Sequence, residues 1–225
     1  DSSTTVDNPA QLNGIEFLEF AGPSPEELER LFYKLGFRLV AKHKEKKVFL
    51  FRQGRINFIL NKEDGSFAQD FFKKHGPSVC GMGLISKDPE AAFEESLKRG
   101  AKSCNDSKSH SFPTIYGIGD SVLHFIAADS KSFFIDGLSE FIQEDPNTVG
   151  FGLEVIDHLT NNVPQGEMQQ WCDFYEGLFN FKEKRYFDIK GLETGLISKV
   201  MMSPCKKIII PVNEPTGAKS QIQEY

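Results

Sequence analysis

"GIEFLEFAGPSPEELERLFYKLGF" (Gly14–Phe37) sets a short apolar run, a break and an amphipathic segment side by side. The run Gly14–Phe20 is dominated by apolar residues and bounded by Gly and Pro, which predicts a strand. Ser24 then stands where a helix N-cap belongs, Pro25 opens the first turn, and Glu26 and Glu27 face the positive end of the helix dipole. Leu28, Leu31, Phe32 and Leu35 recur at helical spacing, and Gly36 ends the helix. "RLVAKHKEKKVFLFRQGRINFILN" (Arg38–Asn61) follows as three short strands, with turns at its charged stretch and near Gly54.

The same order recurs twice more. In the second copy "VCGMGLIS" (Val79–Ser86) is a strand, "DPEAAFEESLKRGA" (Asp88–Ala101) a helix, and "PTIYGIGDSVLHFIA" (Pro113–Ala127) a hairpin turning near Gly119–Asp120. The third opens with "GLEVIDH" (Gly152–His158), continues into a helix over "GEMQQWCDFYEGLFNF" (Gly166–Phe181), and ends in strands within "KRYFDIKG", "TGLISKVMMS" and "KKIIIPVN". The polar stretch "QEDPNTVG" (Gln143–Gly150) separates copies two and three. It divides the chain into an N-terminal domain of two copies (1–147) and a further copy (148–225). Laid on "GIEFLEF", "GLEVIDH" puts His158 where the first copy has Phe20, so one copy carries an imidazole in place of a phenyl ring.

Repeats of strand, helix and three strands are the pattern of the vicinal-oxygen-chelate superfamily. That resemblance implies an α+β, glyoxalase-like fold in which βαβββ modules form half-barrels that pair around a cavity. Three modules leave one half-barrel without its mate.

A net charge of −6 argues against non-specific nucleic-acid binding, which needs basic surface against phosphates. "KHKEKK" (Lys42–Lys47) reads as a solvated turn. No apolar run approaches the length of a membrane span, and the N-terminal residues are polar. The four cysteines show no CxxC spacing, so buried free thiols in a reducing cytoplasm are expected. The 21 phenylalanines point to broad sheet faces packed by aromatic rings.

Along an extended 152–159 segment, side chains alternate between faces. Leu153, Val155, Asp157 and Leu159 should pack under the helix, and Glu154, Ile156 and His158 should look into the concave side. Taken alone, a lone histidine reads as structural or exposed rather than as a ligand, because a metal needs three or four ligands. The remaining histidines, His43, His75, His110 and His124, show no supporting spacing. The C-terminal hairpin, turning at Pro204–Lys207, sets Ser198 opposite Asn213 and makes a polar floor in an otherwise Met- and Ile-rich face. An exposed Ser and a turn-initiating Asn before "EP" would give the same pattern.

"IPVNEPTG…KSQIQEY", with "IDHLTNNV" upstream, "GIEFLEF" near the start, and "LFRQGRINFILN" and "GPSVCGMGL" between, resembles 4-hydroxyphenylpyruvate dioxygenase of the bacterial type over about residues 12–225. The resemblance implies a non-haem Fe(II) enzyme of tyrosine and phenylalanine catabolism that converts 4-hydroxyphenylpyruvate and O₂ to homogentisate and CO₂. It implies His158 as the first iron ligand. Ser198, Asn213 and Gln221 become polar substrate-pocket residues, with Pro211 a wall beside them. It also implies a cytoplasmic homo-oligomer with no nucleic-acid or membrane partner. The family's second histidine and its glutamate belong to a fourth module with no counterpart in these 225 residues. The chain as written is therefore expected to be inactive, and the natural protein to continue. Two alternatives stand beside this reading: 4-hydroxymandelate synthase, and a catalytically dead binding module of the same superfamily.

Overall fold

The computed structural model describes residues 8–22, 24–104, 112–127, 148–184 and 195–217. In the first module β1 (Leu12–Ala21) leads to helix α1 (Pro25–Lys34), followed by β2 (Arg38–Lys42), β3 (Val48–Gln53) and β4 (Ile56–Asn61). Ser24 caps α1 as expected, its hydroxyl accepting from the Glu27 amide, and Gly36 follows the helix at φ +94°. Helix α2 (Phe67–His75) then connects to β5 (Ser78–Ser86), helix α3 (Pro89–Lys98), β6 (Thr114–Tyr116) and β7 (Val122–Ala127). The third module holds β8 (Asn161–Asn162), helix α4 (Met168–Phe179), β9 (Lys182–Lys184), β10 (Leu196–Met202) and β11 (Ile209–Pro215).

Pairing brings out the repeat. One sheet runs β2-β3-β4-β1-β5-β7-β6 and the other β8-β11-β10-β9. In each module the helix returns the chain so that the last strand lies parallel to the first: β1 with β4, β5 with β7, β8 with β11. The third module thus repeats the order of the first, and the second differs in having one strand reduced to a bridge between Ser103 and Ile115. Antiparallel pairing of β1 with β5 joins modules one and two. The α+β, glyoxalase-like architecture follows from this topology.

Phenylalanines fill the first module. Phe32 meets Phe20 and Phe51 edge-on at 5.1 and 5.4 Å, and Phe37 stacks on Phe58 at 4.3 Å. Phe20 is therefore a packing residue. The other large core runs across the proposed domain boundary, with Phe125 of β7 against Phe179 of α4 and the Arg99 guanidinium donating to the Gly177 carbonyl. Cys80, Cys104 and Cys172 are buried free thiols, and Cys205 is half-buried.

The expected opening of the third module needs correction. "GLEVIDH" forms no strand: residues 153–160 carry no regular pairing, and the third module's first strand is confined to Asn161–Asn162. The reason is a competing partner, since the Arg55 amide donates to the Glu154 carbonyl and draws the segment onto the β3–β4 turn. Its faces change accordingly. Leu153 and Val155 are exposed, while Ile156 packs against both large cores and, of the four residues expected under the helix, Leu159 reaches the core. Helix α2 was not anticipated, although Ser66 and Gln69 form the start of an S-x-x-Q cap, with the Ser66 hydroxyl accepting from the Gln69 amide. The "KRYFDIKG" strand and Gln221 fall outside the described residues, β9 ending at Lys184.

Candidate functional site

Helix α4 and the β10–β11 hairpin define two faces of the third module. Met201, Ile210 and Val212 lie buried under α4 against Met168, Cys172, Tyr175 and Leu178. Cross-strand partners in an antiparallel ladder share a side, and the opposite side carries Ser198 directly across from Asn213, with Pro211 across from Val200. This is the face on which the sequence placed a polar floor. Ser198 is exposed, and Asn213 and Pro211 are half-buried.

His158 stands three residues before β8, the strand that pairs with β11. Beyond it Leu159 enters the core, Val163 is buried, and the Asn161 amide oxygen accepts from the Tyr175 hydroxyl at 2.6 Å, whereas Asp157 before it is exposed. The β8–β11 pairing sets Asn162 beside Asn213 on the open side. Asn162 supports this, since the Asn213 side-chain amide donates to it at 3.4 Å. The Leu159 amide bonds the Ile209 carbonyl and ties the segment to the start of β11. Glu214 accepts from the Gly166 amide and holds the turn before α4. Burial pushes the Tyr175 phenol well above its usual range, with Cys172 adding to the shift.

His158 is half-exposed and its Nδ1 lies 2.7 Å from an Asp157 carboxylate oxygen. A carboxylate on Nδ1 favours the tautomer with the proton there and leaves Nε2 with the lone pair a metal needs. The imidazole thus fits the role of one ligand. It does not complete a site: among the described residues no three His, Cys, Asp or Glu side chains gather at one point.

A cleft of about 700 Å³ is lined by residues of all three modules, Asp157 among them. Sequence reasoning did not single it out. Glu16, Arg52, Asn57, Asp157 and Lys207 line it, whereas His158, Ser198 and Asn213 do not. The Arg52 Nε donates to Asn57 Oδ1 at 2.7 Å, and the Asn57 amide donates to the Glu16 carbonyl at 2.9 Å. Burial raises the Glu16 carboxyl and lowers Arg52, each shift partly offset by the other's charge. The turn near Gly54 makes Arg52 and Asn57 cross-strand neighbours, but no sequence spacing brings Glu16, Asp157 or Lys207 to them.

The family profile described as "Hydroxyphenylpyruvate dioxygenase, HPPD, N-terminal" matches residues 6–136. The chain belongs to the hydroxyphenylpyruvate dioxygenase family. It is 45% identical to a 4-hydroxyphenylpyruvate dioxygenase of Pseudomonas sp. (strain P.J. 874), covering 97% of this chain and 63% of that protein. It is 43% identical to the hemolysin VllY of Vibrio vulnificus (strain CMCP6), covering 97% of this chain and 64% of the relative. The chain therefore spans somewhat under two thirds of the length of these two relatives. Among solved structures, a xylose isomerase-like TIM barrel/4-hydroxyphenylpyruvate dioxygenase fusion protein superposes with TM-score 0.76 at 30% identity, over 91% of this chain and 32% of that one.

Proposed function

We propose that this chain is the N-terminal domain and first catalytic module of an Fe(II)-dependent dioxygenase that converts 4-hydroxyphenylpyruvate and O₂ to homogentisate and CO₂. What supports the proposal is membership of this family together with the Ser198–Asn213 register, His158 lying three residues before the strand that pairs with β11. His158 is one iron ligand. Ser198 and Asn213, with Pro211 as a wall, hydrogen-bond a phenol or carboxylate of the substrate without competing for a cation, because hydroxyl and amide groups stay neutral. Gln221 joins them in this reading. Iron, when bound, supplies the oxygen chemistry; the protein orients the ring and excludes water. The division into 1–147 and 148–225 is supported by the two separate sheets, and a cytoplasmic setting by the unpaired thiols. A homo-oligomer completes the proposal.

The test is oxygen uptake by the natural full-length protein loaded with Fe(II), with products separated by chromatography. Homogentisate from 4-hydroxyphenylpyruvate, and its loss in His158→Ala, is the expected result. No uptake from the iron-loaded protein overturns the proposal, and hydroxymandelate as the product replaces it with the synthase reading.

A further inference from the structure

Gln53 closes β3 with no exposed surface, yet its side chain spends little on its own hairpin. Its amide nitrogen donates to the Leu35 carbonyl at 2.9 Å, and its oxygen accepts from the Phe151 amide at 2.8 Å and the Leu153 amide at 3.4 Å. Two backbone bonds flank these contacts: Gly54 N–H to the Thr148 carbonyl at 2.7 Å and Arg55 N–H to the Glu154 carbonyl at 2.9 Å. Residues 148–154, which lead into the third module, are thereby clasped across the β3–β4 turn of the first.

The approach is close enough to demand glycine on both sides. A Cβ on Gly54 would lie 2.5 Å from the Leu153 carbonyl oxygen, and one on Gly150 would lie 2.4 Å from the Gly36 oxygen and 2.5 Å from the Gln53 amide oxygen. Both glycines also hold positive φ, +56° and +51°. Side-chain burial contributes little to this contact, since Val149, Phe151, Leu153 and Val155 are 68, 77, 47 and 52% exposed. Hydrogen bonds hold it, and Gln53 supplies their centre.

His158 lies four residues beyond Glu154, between this clasp and the Leu159–Ile209 bond. We infer that Gln53 is a positioning residue for His158: by fixing the segment that enters the third module, it sets where the imidazole stands relative to Ser198 and Asn213. This rests on the reading of His158 as an iron ligand.

The experiment uses the full-length protein with Gln53→Met, which keeps the length and removes the amide, and Gly150→Ala, which forces the segment away from an intact Gln53. Val40→Ala is the control, a fully buried position in a separate core cluster that does not include the linker. Amide hydrogen exchange at Phe151 and Leu153 and the Fe(II) dissociation constant are measured well below the melting temperature. Both clasp variants should lose protection at those amides, keep it in β10–β11, and bind Fe(II) about tenfold more weakly, the lower end of what outer partners of a metal ligand contribute. Val40→Ala should lower the melting temperature and leave Fe(II) affinity unchanged. Wild-type Fe(II) affinity in both clasp variants, or equal weakening in Val40→Ala, overturns the positioning role alone. An unprotected Phe151 amide in the parent protein overturns the clasp. A parent protein that binds no Fe(II) overturns the reading of His158, and the positioning role with it, while the exchange data still decide the clasp.

Discussion

Replacing Tyr175 with Phe removes one hydroxyl from the interior of the third module and should alter both the size of the protein's stability and its dependence on pH. Tyr175 is 3% exposed, and its ring stacks on Phe181 at 5.3 Å, a contact that Phe retains. What is lost is the 2.6 Å bond to Asn161, worth about 1 kcal/mol for a hydrogen bond of this kind. For a chain of this size that is a drop of roughly 2–4 °C in melting temperature. Burial raises the folded phenol's pKa, whereas the unfolded phenol ionises near its ordinary value of about 10. Above that pH the folded state holds one more proton than the unfolded state, so this contribution is fully present below pH ~10 and falls as pH rises toward the folded pKa. The loss is about 0.4 kcal/mol at pH ~10 and about 1.4 kcal/mol at pH ~11, and Phe escapes it. The parent protein should therefore lead the variant by about 1 kcal/mol at pH ~8 and fall level with it between pH ~10 and ~11. Urea unfolding followed by the fluorescence of Trp171, the single tryptophan and a neighbour on α4, measures both curves. The raised Cys80 thiol titrates in both proteins and cancels in the difference. A gap that stays constant from pH ~8 to ~11 refutes the buried phenol, and no gap at pH ~8 refutes the hydrogen bond's contribution.

Phe32→Ala should cost about 3–5 kcal/mol in chemical denaturation, because it empties the centre of the ring cluster, while Leu31→Ala beside it, 47% exposed, should stay within about 0.5 kcal/mol. Gly83→Ala should destabilise by about 1–3 kcal/mol, since its Cβ would fall 2.5 Å from the Phe17 ring; an unchanged melting temperature would show that Phe17 can move aside. Asp157→Asn exchanges a charged acceptor for a neutral one at His158 and should weaken Fe(II) binding in the full-length protein about tenfold in a metal titration, with the melting curve unmoved because Asp157 is exposed. Ser198→Ala should raise the KM for 4-hydroxyphenylpyruvate about tenfold, the equivalent of one hydrogen bond, and leave stability unchanged; steady-state oxygen uptake decides it.

Local chemistry makes much of this architecture readable in the sequence. Ser24 and Asp88 cap helices as their side chains predict, and Pro25 and Pro89 open them, because capping involves groups within one turn of chain. The Ser198–Asn213 register was legible for the same reason: a hairpin turn at Pro204–Lys207 fixes every pair beyond it. Helix α2 carries an equally local signal, its Ser66 cap and Gln69 lying within four residues.

Tertiary structure decided the rest. "GLEVIDH" has the composition of a strand, but a strand exists only where a neighbouring backbone accepts its bonds, and the β3–β4 turn, about a hundred residues earlier, takes them instead. The exposure of Leu153 and Val155 follows from that competition. Gln53 reads in sequence as an ordinary polar residue before a turn; only folding carries Phe151 and Leu153 to its amide oxygen. Glu16, Arg52 and Asp157 likewise meet around one cleft only after two modules have packed. Periodicity and caps act over a few residues and survive in the unfolded chain's sequence. Hydrogen-bond partners across modules depend on which surfaces pack together, and no local pattern records that.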